Sequence, residues 1–152
     1  MSRKIRTKAT IYSMLSLAIL CFIFSQSILS REDSGALSGR ILALLKPLLD
    51  PQNRIDEDLL HLIIRKTAHF TEFAALGLCV TGASSAYGVI RKRRYVALPL
   101  LITLVCAVCD EFLQYFTGRG SMVTDVVLDF AGALFGMMWM SAIYIFKYKR
   151  KQ

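Results

Sequence analysis

Four apolar runs dominate this chain: Thr10–Ser30, Ala68–Ile90, Tyr95–Phe116 and Met122–Phe146. A helix needs about 20 mostly apolar residues to cross the hydrocarbon core of a bilayer. In lipid every backbone N–H and C=O must be bonded within the segment, and a helix does that by itself. The chain has 152 residues, of which 55% are hydrophobic, and the apolar ones gather into these runs instead of spreading over one modest soluble core. The pattern predicts an all-α integral membrane protein, with four transmembrane helices forming one domain over residues 1–152. The first run follows a basic segment, as a secretory signal would. Its apolar core is long, however, and Phe24-Ser25-Gln26-Ser27 is not a small-residue cleavage site, so it reads as a retained signal anchor.

The charge pattern orients the spans. The formal net charge is +8, from 19 basic and 11 acidic residues. The basic residues cluster beside the helices: Arg3, Lys4, Arg6 and Lys8, then Arg91-Lys92-Arg93-Arg94, then Lys147, Lys149, Arg150 and Lys151. With four spans these clusters fall on one side, and the positive-inside rule makes that side the cytoplasm. Both termini are therefore expected in the cytoplasm of a multi-pass cell-membrane protein. Such clusters suit anionic inner-leaflet lipid and exclude nucleic acid as a partner. The four cysteines, Cys21, Cys79, Cys106 and Cys109, all lie within predicted spans, where cysteine is a small apolar residue and no disulfide framework is indicated.

The first outer loop is the long one. Ser34 or Ser38 is placed to cap a short helix over 36–49, with Leu37, Ile41, Leu44, Leu45 and Leu48 recurring at helical spacing. Pro47 is expected to kink it and Pro51 to end it. Asp56-Glu57-Asp58 then supplies acids suited to the positive end of a helix that continues into the second span. The outer turn Thr117-Gly118-Arg119-Gly120-Ser121 is short, so the third and fourth spans form an antiparallel hairpin. Gly132 and Gly136 permit close helix contact, expected within the monomer.

Charged groups inside a span are costly, and their presence points to function. On the second span Arg65, Lys66, His69 and Glu72 recur near one helical face; on the third Asp110, Glu111 and Gln114 occupy the last two turns; on the fourth Asp125 and Asp129 stack four apart. Arg119 sits in the turn. At about 1.5 Å per residue Glu72 lies roughly 9 Å below Lys66, Asp110 roughly 10 Å below Thr117 and Asp129 roughly 12 Å below Ser121. The groups thus form one layer in the outer leaflet, predicted to be a single polar pocket opening outward. The inner halves of the spans carry no charged residue, which disfavours a transport path.

His69, Glu72, Asp110 and Glu111 are the candidate acid/base groups: His69 beside Glu72 is an oriented base, and adjacent carboxylates can differ in proton affinity. Lys66, Gln114, Arg119, Asp125 and Asp129 are candidate ligand-binding groups. The histidine and carboxylates also suit a divalent cation. Each group has a plainer role as well. Lys66 is a natural counter-ion for Asp110 or Glu111, Arg119 for a helix C-terminus or lipid phosphate, and Asp125 for the amides that open the fourth helix. No catalytic motif selects among these, and no cofactor is specified.

Three segments together resemble the VanZ-like family: Lys66-x-x-His69-Phe70-x-Glu72-Phe73; Asp110-Glu111-x-x-Gln114-x-Phe116-x-Gly118-Arg119; and Asp125-x-x-x-Asp129-x-x-Gly132-x-x-x-Gly136. The Phe24-Ser25-Gln26-Ser27 end of the first span and the serine-bearing outer loop are also similar to it. The likeness runs from about Tyr12 to Phe146 and departs at Asp129, where Asn is the family's usual residue. It implies a small multi-span envelope protein associated with resistance to the lipoglycopeptide teicoplanin. Its implied partners are the bilayer and a lipid-linked cell-wall precursor or lipoglycopeptide. Two functions remain open: binding of such a phosphate-bearing ligand, and interfacial acid/base catalysis on a lipid or wall precursor.

Overall fold

The computed structural model describes residues 3–50, 52, 54–91 and 95–149. Among them the chain forms five helices and no strand: α1 Arg3–Ser27, α2 Arg31–Leu49, α3 Glu57–Arg91, α4 Ala97–Phe116 and α5 Val123–Lys149. Helices α1, α4 and α5 are each long and apolar enough to cross a membrane. The second apolar run lies in α3, which begins at the acidic pair Glu57 and Asp58 and continues unbroken for 35 residues. That is roughly 50 Å of helix, against a hydrocarbon core of about 30 Å. Lys92, Arg93, Arg94, Arg150 and Lys151, which carry much of the orientation argument, lie outside the described residues, as does Pro51.

Helix α3 is the hub. It packs against α1, α4, α5 and α2, and α1 and α5 each also pack against α4. The shared core holds Ile23 from α1, Phe73, Leu76 and Val80 from α3, Cys106 and Ala107 from α4, and Ala133 from α5. Outside it the usual polarity is inverted. Met14, Leu17, Leu101, Val105, Met138 and Trp139 are exposed, whereas Thr103, Asp110 and Asp129 are buried. Lipid solvates large apolar side chains as well as a protein core does, so such a bundle gains by turning polar and small residues inward.

The small residues set the helix spacing. A Cβ added at Gly136 would stand 1.9 Å from the carbonyl oxygen of Ala74, one at Gly132 2.3 Å from that of Phe70, and one at Gly77 2.2 Å from that of Ala133. The G-x-x-x-G of α5 therefore packs on α3 within the monomer, as its sequence suggests.

Helix α2 starts at Arg31, earlier than expected, so Ser34 and Ser38 lie inside it and not at its start. The Ser38 hydroxyl bonds instead to the Gly35 carbonyl at 3.0 Å, one turn back. Pro47 falls in the last turn of α2, where the helix is already ending. Ile41, Leu44 and Leu48 are exposed, whereas Leu42 is buried on the side that meets α3. An ion pair from Lys46 to Glu57 and the Asp50 carboxylate, which accepts the Arg54 and Ile55 N–H groups at 2.9 Å each, close the turn into α3.

Candidate functional site

The hairpin between α4 and α5 frames the site at one end of the bundle. Helix α4 ends in a paired capping motif: the Gly118 N–H bonds to the Tyr115 carbonyl at 3.3 Å and the Arg119 N–H to the Gln114 carbonyl at 3.2 Å. This needs a left-handed residue after the cap, which Gly118 supplies at φ 71°. The reversal returns Arg119 over the end of the bundle, where its guanidinium donates to the Gln26 carbonyl of α1 at 2.8 Å. Arg119 thus meets a carbonyl at the end of α1, one that also accepts the Leu29 N–H at 3.3 Å, and a helix C-terminus favours such a cation. The Thr117 hydroxyl adds a second tie, to the Ser27 carbonyl at 3.1 Å.

Inside this frame the predicted polar faces meet. His69 Nδ1 lies 3.7 Å from Asp110 Oδ2 and 3.8 Å from Asp129 Oδ1, which joins α3, α4 and α5 at one point. Asp110 is fully buried and Asp129 is 1% exposed. Asp110 is well held: the Ser27 hydroxyl donates to Oδ1, and the Gln114 amide donates to Oδ2 at 2.8 Å. Asp129 is not held. Both of its carboxylate oxygens, like His69 Nδ1, are buried with no hydrogen-bond partner. Glu72 is half-buried and near enough to feel the charges of Asp110 and Arg119.

Two pairings differ from the sequence reading. Lys66 forms its ion pair with Asp125, not with Asp110 or Glu111. Glu111 accepts the Met122 N–H at 3.1 Å and a bond from the Ser121 hydroxyl, so it, rather than Asp125, receives the chain as it enters α5. The reason is depth. Lys66 and Asp125 stand at the same level of neighbouring helices, whereas Glu111, just over one turn below the end of α4, faces the returning hairpin.

Ser27 is the site member that the sequence reading did not single out. Its signals were a polar side chain, flanked by Gln26, at the end of an apolar run, and its place in the Phe24-Ser25-Gln26-Ser27 segment that resembles the family. Arg65, by contrast, has no ion-pair partner among the described residues, and its charge reaches both Arg119 and His69. The candidates therefore fall in one region of the bundle: His69, Asp110, Gln114 and Asp129 at the centre, Glu72 beside them, and Lys66, Glu111, Arg119 and Asp125 toward the α4–α5 hairpin.

Fold and site together define a helical membrane protein whose charged centre is buried where three helices converge at one end of the bundle. A family model supplies the second step: VanZ/LLP1 matches residues 10–146, and the chain belongs to that family. No curated protein and no solved structure matches the chain.

Proposed function

We propose that the chain crosses the cell membrane four times, through α1, α3, α4 and α5, with both termini cytoplasmic. We propose further that the polar end opens outward and holds the phosphate of a lipid-linked cell-wall precursor, or the acidic group of a lipoglycopeptide, and that this occupancy protects against teicoplanin. The single observation that carries the reading is the pair Arg65 and Arg119. These guanidiniums feel each other's charge, and neither is within ion-pair distance of a carboxylate among the described residues. An anion held by both guanidiniums would offset the repulsion between them, and each presents a planar fork that matches phosphate or carboxylate. Lys66, neutralised by Asp125, becomes part of the scaffold of the mouth in this reading, and Gln114 serves by holding Asp110.

The test is teicoplanin and vancomycin susceptibility, side by side, in a sensitive Gram-positive host. The host expresses either the wild-type chain or the double variant Arg65→Gln/Arg119→Gln at matched membrane levels. Protection from teicoplanin that disappears in the double variant is the expected result. Protection that persists in it removes the arginine pair from the function.

A second reading has its own observation. His69 Nδ1 lies 3.7 Å from Asp110, from which a small rotation would form the hydrogen bond by which a carboxylate orients an imidazole as a general base. Under interfacial catalysis His69 is that base, Arg119 stabilises developing negative charge, and Glu111 holds the hairpin. Full function in His69→Ala would exclude it.

A further inference from the structure

From the geometry of the buried centre we infer that His69, Asp110 and Asp129 bind a divalent metal ion, with His69 Nδ1 and one oxygen from each aspartate as ligands. The inference stands apart from the anion reading above, because it uses none of the arginines.

Three observations carry it. The first is convergence: the three donor atoms lie within 4.8 Å of one another, although they come from three separate helices. Ligands about 2.1 Å from a common ion stand roughly 3–4 Å apart, so small side-chain rotations close the set. The second is an unmet demand. Asp129 is 1% exposed, yet neither of its oxygens has a partner, and His69 Nδ1 beside it has none either. A buried carboxylate without a donor is costly, and native structures rarely leave one. Here the two unpartnered groups point at each other and at Asp110, and a cation placed among them satisfies all three.

The third observation is charge. The groups whose charges bear on Asp129 are all carboxylates: Asp110, Glu111, Asp125 and Glu72. Lys66 is paired with Asp125, the Arg119 guanidinium donates to the Gln26 carbonyl, and no Lys or Arg among the described residues lies within ion-pair distance of Asp129. A dication cancels the two ligating aspartates in a medium of low dielectric, where each unpaired charge is most expensive.

The surroundings have the form of a metal site's support. Asp110 is oriented by the Ser27 hydroxyl on one oxygen and by Gln114 on the other, the outer hydrogen bonds that fix a ligating carboxylate. One nitrogen and two carboxylate oxygens suit zinc or manganese. Three protein ligands also leave a coordination position open, the pattern of a site that takes water or a substrate oxygen.

The experiment uses tag-free, full-length protein in lipid nanodiscs, stripped with chelator and then titrated with Zn(II) and Mn(II). Co(II) serves as the visible spectroscopic probe, and bound metal is counted by elemental mass spectrometry. About one equivalent per chain is expected. Asp129→Asn and His69→Ala should each lower the affinity by more than 100-fold, and Ser27→Ala should lower it by about 10–100-fold as an outer-hydrogen-bond change. Lys46→Gln, at the turn between α2 and α3, should leave it within about 2-fold, and because the titration reads metal and not teicoplanin protection, failure of this site is distinct from failure of the anion reading. Circular dichroism of each variant reports folding. If Asp129→Asn or His69→Ala does not fold, the gain in melting temperature of the wild-type chain on adding Zn(II), and its d–d spectrum with Co(II), decide the matter. Absence of stoichiometric metal in the folded wild-type protein, or unchanged affinity in folded Asp129→Asn, overturns the inference.

Discussion

Replacing Gly136 by alanine tests how closely α5 must lie on α3. An added Cβ would meet the Ala74 carbonyl oxygen at 1.9 Å, its carbon at 2.8 Å and the Leu78 nitrogen at 2.9 Å. Ordinary contact begins near 3.4 Å, so the two backbones must part locally by 3.4 − 1.9, or about 1.5 Å. All three atoms are backbone, and no rotamer change relieves the clash. Overpacking of this kind costs about 1–3 kcal/mol, and a rigid backbone neighbour puts Gly136→Ala near the top of that range. The better helix propensity of alanine returns about 1 kcal/mol. The net expectation is a loss of roughly 2 kcal/mol, or a melting temperature lower by about 4–8 °C for a chain of this length. The assay is thermal melting in a mild detergent, followed by circular dichroism. Gly35→Ala is the control: it lies in α2 with nothing within 4 Å of the added Cβ, and it should be neutral or slightly stabilising. Gly136→Ala melting at or above the wild-type temperature would refute the close-packing argument. The same shift should reach the site, because Asp129 lies two turns away on α5, 3.8 Å from His69.

Two further predictions rest on local contacts. The Lys66–Asp125 ion pair links α3 to α5 and is largely shielded, with side-chain exposures of 31% and 16%. A double-mutant cycle with Lys66→Gln and Asp125→Asn should give a coupling of about 1 kcal/mol, and additive effects would show that the pair contributes nothing. At the turn before α3, the N–H groups of Arg54 and Ile55 hold the Asp50 carboxyl below its ordinary pKa of 3.8. Since the folded value lies under the unfolded one, this contribution is complete above the unfolded value and is lost as pH falls through the folded value. Amide exchange at Arg54 and Ile55 should therefore lose protection below the usual carboxylate range, and Asp50→Asn should remove that pH dependence. Protection that is flat with pH in the wild-type chain would contradict it.

Much of this architecture is legible in the amino-acid order because lipid imposes a one-dimensional rule. A span must be long, apolar and self-bonded, so the positions of α1, α4 and α5 follow from counting residues. Local chemistry carries nearly as far. The acids at 57 and 58 mark the start of α3, the glycines at 118 and 120 mark the hairpin, and helical spacing places His69 and Glu72 on one face and Asp125 and Asp129 on another. The chain order also puts the ends that bear these groups at one side of the bundle.

Partner choice was beyond that reach, because it depends on helix rotation and on differences of a few ångströms in depth. Asp110 or Glu111 was the expected partner of Lys66, and only the packed bundle selects Asp125. Ser27 looked like the ordinary end of an apolar run until the packing of α1 brought its hydroxyl against Asp110. The isolation of Asp129 is likewise a tertiary property. Its two oxygens go unpartnered because α3 and α5, held close by glycine, exclude water there while supplying only His69 and other acids. Sequence determined which polar groups lie on the apolar helices and how far they stand from the helix ends, since both follow from position along a helix. Tertiary structure alone decided which of them satisfy one another and which are left to bind something else.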